Sequence, residues 1–151
     1  MKIKLFLLCI LLVLVHINVF SQFGGGDGSA NNPYQIWTKE HLEELSDSIQ
    51  HTIVGNDNWT KDKHFRLMNN IDNVTKGIGI GSDSAGSTEN IKNSFQGYFH
   101  GGGNTVTLAI DVLPGQFGGL FWEQSGTIDS LIVDGYVKNV SGGEVGIRNS
   151  C

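Results

Sequence analysis

Beyond residue 64 the apolar residues of this chain arrive in short runs, at 65–68, 95–99, 106–110, 117–121, 128 and 131–137, each closed off by Gly, Asn or Ser. Runs this short read as strands separated by turns rather than as helices. Two of the blocks resemble each other. Gly97-Tyr98-Phe99 leads to Asn104-Thr105-Val106, and Gly119-Leu120-Phe121 leads to Gly126-Thr127-Ile128, both at an offset of 22 residues. Internal similarity at a period of roughly 20 or more points to units that bury one apolar face only by stacking on their neighbours. At roughly 3.3 Å per extended residue, such a unit has a contour near 70 Å, which suits one circuit of a multi-sided coil better than one hairpin. The alternation of Val106, Leu108 and Ile110 suits a wall with one face turned inward. A leucine-rich repeat has a similar period but needs a regular Leu frame and an Asn ladder, which the chain lacks. The expected fold class is mainly β, a parallel β-solenoid.

Composition agrees with a turn-rich chain and narrows the partners. Gly is 21 of 151 residues and Pro only 2, so many tight turns fit and a Pro-rich tract does not. Charged residues are 17 % and the formal net charge is -5, which argues against nucleic-acid binding through a Lys/Arg patch. One chain of this length makes one domain, not a multidomain enzyme.

The first residues read as an address. Lys2 and Lys4 precede an apolar run from Leu5 to Val15, and Val19-Phe20-Ser21 ends in a cleavable pattern, so residues 1–21 are expected to be a signal peptide cut near Ser21/Gln22. His16 and Asn18 interrupt the run before it could span a membrane, so the mature form is expected to have no transmembrane span. Leu8 before Cys9 argues against a lipoprotein signal. Removing Lys2 and Lys4 leaves eight basic residues against 15 acidic ones, and Cys151 as the lone thiol, so stability must come from packing rather than a disulfide.

The mature chain divides in two. Residues 22–64 are expected to form an N-terminal cap: a Gly/Asp/Asn/Ser leader at 23–32, a short strand after Pro33, and a helix over 39–50. Thr38 is its N-cap, Glu40 lies in its first turn, and Leu42, Leu45 and Ile49 form its apolar stripe. Residues 65–151 then form the coils.

Gly118-Gly119-Leu120-Phe121 followed by Ser125-Gly126-Thr127-Ile128, the segment Phe95-Gln96-Gly97-Tyr98-Phe99-His100-Gly101, the leader and the helix together resemble bacterial secreted β-helix proteins of the GLUG-motif type. The resemblance covers most of residues 23–140. It implies a right-handed parallel β-helix with an N-terminal capping strand and amphipathic helix, and makes Gly97, Phe99, Gly118, Gly119, Leu120, Phe121, Gly126, Thr127 and Ile128 the repeat motif. Trp122 departs from the pattern, standing where the motif's final Gly is usual. Residues 142–147 look like the start of another coil, so the chain is expected to be the amino-terminal portion of a longer array, truncated after two to three coils.

Sets of catalytic residues are sparse. Asp111, Asp129 and Asp134 fall in or beside successive coils, where stacking could pair two carboxylates as a glycosidase needs, although Asp at a corner more often stabilises its own turn. A lyase would want a basic residue, and the only arginines are Arg66 and Arg148. His41-Leu42-Glu43-Glu44 lacks the second His of a zinc-protease motif, and His41, His51, His64 and His100 read as solvated or capping residues. No GxSxG, P-loop or dinucleotide fingerprint is present, and Gly24-Gly25-Gly26-Asp27-Gly28 precedes a strand rather than opening a helix. Asn56-Asp57-Asn58 with Asp62, and Asp83 with Glu89, offer oxygens for calcium but follow no EF-hand frame, so no cofactor is expected. Trp59, Trp122 and Tyr136 are candidate sugar-stacking surfaces. The expected function is an exported, non-catalytic solenoid module for cell-surface adhesion or for binding glycans or proteins. A carbohydrate-active β-helix and a non-functional gene fragment are the alternatives.

Overall fold

The computed structural model of the chain describes residues 23–51, 53–54, 57–78, 94–112 and 118–139. The export signal at 1–21, both cysteines, Asn56, the Asp83/Glu89 loop, Phe117, residues 142–147 and Arg148 lie outside the described residues. The elements in chain order are β1 (Tyr34–Ile36), α1 (Lys39–His51), β2 (Ile53–Val54), β3 (Asp57–Asn58), β4 (His64–Leu67), β5 (Ile71–Val74), β6 (Tyr98–His100), β7 (Thr105–Val112), β8 (Thr127–Asp129) and β9 (Ile132–Asn139).

The protein is mainly β, with two all-parallel sheets in a solenoid-like arrangement. The first sheet has the order β1-β4-β6-β8 and the second β5-β7-β9; β2 and β3 form a separate antiparallel pair. Isolated parallel bridges join Ile78 to Phe121 and Phe95 to Gln124, marking a third, irregular side. The chain thus runs β4–β5–Ile78, returns as β6–β7–Phe121, and returns again as β8–β9, each pass lying beside the one before.

The register corrects the 22-residue period. Phe65 pairs with Phe99 and Phe99 with Ile128, so successive passes are 34 and then 29 residues apart on the first sheet. On the second sheet Val106 pairs with Val133, 27 residues on. Phe121 is therefore not the next-coil equivalent of Phe99. It lies on the third side and meets Phe99 across the interior, edge to face, with ring centroids 5.3 Å apart. The true equivalents are Gly97-Tyr98-Phe99-His100 and Gly126-Thr127-Ile128-Asp129, because the Thr127 N–H bonds to the Gly97 carbonyl at 2.8 Å. The two glycines stack, and a Cβ at Gly126 would run into the Gly97 carbonyl oxygen. A fixed-period comparison fails here because the chain length between strands differs from pass to pass, while the strands of the first sheet keep an unbroken register; on the second sheet the pairing of β5 with β7 shifts between Ile71 and Val74.

Gly118-Gly119-Leu120-Phe121 forms the third side. The Ile78 N–H donates to the Leu120 carbonyl and the Trp122 N–H donates to the Ile78 carbonyl, at 2.6 and 3.0 Å. Leu120 is buried, and a Cβ at Gly118 would press on Val137 and Val112, so close packing of this turn demands glycine. Trp122, half-buried, continues the bridge through its backbone.

The interior is held by a continuous run of aromatic rings along the stack. Phe23, Tyr34, Trp59 and Phe65 cluster at 5.0–6.0 Å, Phe65 meets Phe95 at 5.6 Å, and Phe95 meets Phe99 and Phe121 at 6.3 and 5.2 Å. Phe23, Phe65, Phe95 and Phe99 are almost wholly buried. Helix α1 closes the start of the stack, running one residue beyond its expected end. Its Leu42, Leu45 and Ile49 are buried and it packs on β5, the edge strand of the second sheet. The Thr38 hydroxyl accepts from the His41 N–H at 3.4 Å, and His41 Nδ1 accepts from the Trp37 N–H at 3.1 Å, a reciprocal cap. Hydrogen bonding to Thr38 and to its own backbone holds the Glu40 carboxyl below its usual range. The leader covers the outer edge of β1, with the Gly24 N–H on the Gln35 carbonyl and the Gln35 N–H on the Gly25 carbonyl, both 2.9 Å. An unpaired first edge is thereby avoided.

Corners between the sheets are closed by asparagine and glycine. Gly102 and Gly103 adopt φ of 63° and 78°, and the Asn104 amide donates to the carbonyls of Leu67 and Gly101 at 3.1 and 3.2 Å, tying one corner to the pass before it. Asn104→Ala removes both bonds from a part-buried site and is expected to cost about 1–3 kcal/mol in urea denaturation. Phe99→Ala empties the middle of the aromatic run, and the expected loss is about 3–5 kcal/mol by the same measurement. A loss below 1 kcal/mol for Phe99→Ala would contradict this account of the core.

Candidate functional site on the outward face of the first sheet

Strand alternation sorts the first sheet into two faces. Ile36, Phe65, Leu67 and Phe99 point inward and are buried, while Gln35, His64, Arg66, Tyr98, His100, Thr127 and Asp129 point outward. Parallel register then lines the outward groups into two columns: His64, Tyr98 and Thr127, and beside them Gln35, Arg66, His100 and Asp129. With strands about 4.8 Å apart, the second column spans about 14 Å on a rigid sheet.

Within this face three side chains form one line. His100 Nδ1 lies 2.7 Å from Asp129 Oδ2, and His100 Nε2 lies 3.1 Å from His64 Nδ1. The two imidazole planes are within 12° of parallel with centroids 5.4 Å apart. Ring atoms of an imidazole lie ~1.1 Å from its centre, given ring bonds of ~1.35 Å, so this centroid separation equals the N···N distance plus two such radii. The rings therefore lie edge to edge in a common plane, their nitrogens facing head-on, rather than one above the other. That is the geometry of an N–H···N bond; two lone pairs aimed at each other do not converge on a metal. No group of three or more His, Cys, Asp or Glu placed to hold a metal occurs among the described residues.

Proton positions follow from the partners. A carboxylate only accepts, so His100 carries its hydrogen on Nδ1. When His100 is neutral its Nε2 accepts from His64 Nδ1–H, which leaves His64 Nε2 as a bare lone pair. That nitrogen has no hydrogen-bond partner among the described residues and is open to solvent. The arrangement is that of a carboxylate orienting one imidazole through another. Tyr98 braces it, its ring stacked on His64 at 4.4 Å and 9°. Arg66, exposed and opposite His100, makes no ion pair among the described residues.

The carboxylates singled out from the sequence are not brought together. Asp129 belongs to the first sheet, whereas Asp111 and Asp134 lie on the second, opposite Lys138 and Thr107 respectively. Asp111 lies 3.4 Å from Lys138 Nζ, and Asp134 accepts from the Gly135 N–H at 2.7 Å. Of the aromatic candidates, Trp59 is half-buried and packs against the core, stacking with Phe23 and Tyr34, which also touch each other. Tyr136 is exposed on the second sheet with Lys138 Nζ 4.9 Å from its ring centroid. Among the histidines, His41 is the helix cap described above. Of the motif residues, Phe99 and Ile128 face inward, Thr127 outward, and Gly97 and Gly126 make the approach to the strands.

The sequence reading missed the His64–His100–Asp129 line because the three residues are 36 and 29 positions apart. A signal existed. His64-Phe65-Arg66, Tyr98-Phe99-His100 and Thr127-Ile128-Asp129 each read polar, apolar, polar, the last two directly after glycine.

No family model, curated protein or solved structure matches the chain. No helix among the described residues is long and apolar enough to cross a membrane.

The hydrogen-bond line makes a direct prediction. With both rings neutral, nitrogen-15 NMR is expected to find His64 and His100 as Nδ1–H tautomers, the less common form of free imidazole, and Asp129→Asn is expected to release His100 from it. Finding Nε2–H on both rings would refute the assignment.

Proposed function

We propose that the protein is an exported, non-catalytic right-handed parallel β-helix module of the GLUG-motif type, serving cell-surface adhesion by binding glycans or protein partners. The observation that carries this reading is the outward face of the first sheet: two register-aligned columns of polar and planar side chains, Tyr98 among them, fixed on a parallel sheet. Rigid columns of this kind suit a repeating ligand, because binding orders few protein side chains that were not already held. The export reading rests on Lys2, Lys4 and the apolar run to Val15. The array reading rests on the parallel passes and the sequence resemblance.

A carbohydrate-active module is the second reading, favoured by the Asp129–His100–His64 line, which is oriented as an acid–base group would be.

Screening the full chain against an array of cell-wall and host glycans separates these readings. Binding without turnover is expected, weakened at least about tenfold by Tyr98→Ala with the circular dichroism spectrum unchanged, the loss of one good aromatic contact. Turnover of any array member that Asp129→Ala abolishes would overturn the non-catalytic reading. Binding that Tyr98→Ala leaves unchanged would remove the first sheet as the binding face.

A further inference from the structure

The ligand class can be narrowed from the donor and acceptor pattern of the face, an inference that rests on the glycan-binding reading above. We propose that Arg66 and His64 form a recognition pair for an acidic saccharide, in which Arg66 holds a sugar carboxylate and His64 Nε2 accepts a hydrogen bond from a hydroxyl of the same sugar or its neighbour.

Arg66 and His64 are two residues apart on β4, so they share a face with Cα atoms about 7 Å apart. Arg66 is donor-only, and its planar fork matches a carboxylate edge-on. Lys138 and Lys76 are each placed against an aspartate, whereas Arg66 faces only Gln35 and His100 across its two neighbouring strands. Gln35 brings no charge, and its Oε1 already accepts from Trp37 Nε1 at 3.1 Å. Asp129, the carboxylate of the same face, is engaged by His100. The guanidinium is thus left for an external anion.

His64 is the complement. The line from Asp129 through His100 places its hydrogen on Nδ1, so the nitrogen open to solvent is acceptor-only. An acceptor-only atom beside a donor-only cation selects a ligand that carries a hydroxyl donor beside an anion. A uronic acid has both. A neutral sugar lacks the anion, and a fully esterified one lacks the charge. Tyr98, stacked against His64 and 38 % exposed, keeps the imidazole from turning away and borders the pair. His100 and Asp129 act through His64 and are positioning residues.

The test is calorimetric titration of the full chain with three probes: an oligogalacturonate, the same oligomer fully methyl-esterified, and a sulfated neutral oligosaccharide. The wild type is expected to favour the free acid by at least about tenfold over the ester, one charge-assisted contact. Arg66→Ala is expected to erase that preference, and Arg66→Lys to restore only part of it, since a point charge replaces the fork. Asp129→Asn is expected to weaken the free acid and the ester alike by a few-fold while lowering the population of the His64 Nδ1–H tautomer in nitrogen-15 NMR, a readout that a merely structural role would not move. Equal affinity for acid and ester, or an acid preference that survives Arg66→Ala, overturns this inference and leaves the binding face standing. A stronger response to the sulfated probe overturns it in favour of a sulfate site. Binding of none of the three, together with an empty glycan array, overturns the glycan reading itself.

Discussion

Parallel register is the constraint on which the structure depends. Once β4, β6 and β8 lie side by side in the same direction, a residue's column is set by its distance from the strand start, and every second position is committed to the interior or to solvent. The interior columns supply Tyr34, Phe65 and Phe99 to the aromatic run, which Phe23, Phe95 and Phe121 join from outside the sheet, and the outward columns become the face bearing His64, Arg66, Tyr98, His100 and Asp129. Core and candidate site are the two sides of one ladder. A slip of one residue in β6 would bury His100 and expose Phe99 together, so the register that protects the core also aligns the site.

The passes differ in length, yet the ladder is maintained by local devices that absorb the differences. Glycine at 97 and 126 allows close approach before the strands, and Gly102, Gly103 and Asn104 turn the corner to the second sheet. At the start of the stack the leader and α1 shield what would otherwise be an open edge and an exposed apolar end, which is why Phe23, outside the regular strands but packed on Tyr34 and Phe65, is almost wholly buried. The extra chain of the longer passes leaves the register of the first sheet untouched, as expected where insertions fall in turns, whereas β5 and β7 shift register between Ile71 and Val74.

The functional reading turns on the difference between a cluster and a line. Two histidines and an aspartate gathered around a point would suggest a metal. Here their nitrogens and oxygen follow one another in a plane, so each bond decides the next proton position and only the last atom, His64 Nε2, is left to act outward. Stacking against Tyr98 fixes the orientation of that atom, and Arg66, which makes no ion pair among the described residues, shares its face two residues further along β4.

Much of this could be read from residues in order. The strand-and-turn texture, the capped helix after Thr38 and the inward alternation of Val106, Leu108 and Ile110 follow from local preferences and periodicity, which act over a few residues; parallel coiling was legible only through a 22-residue similarity that is not the coil period. The coil length did not. Resemblance between Phe99 and Phe121 is real in sequence, but in space these rings meet across the interior, because hydrogen bonding matched Phe99 to Ile128 instead. The same pairing decided the site: which of Asp111, Asp129 and Asp134 meets a histidine depends on which strands become neighbours. Residue identity supplied the imidazoles, carboxylate and guanidinium; only the stacking of distant strands about 5 Å apart turned three of them into one hydrogen-bonded line.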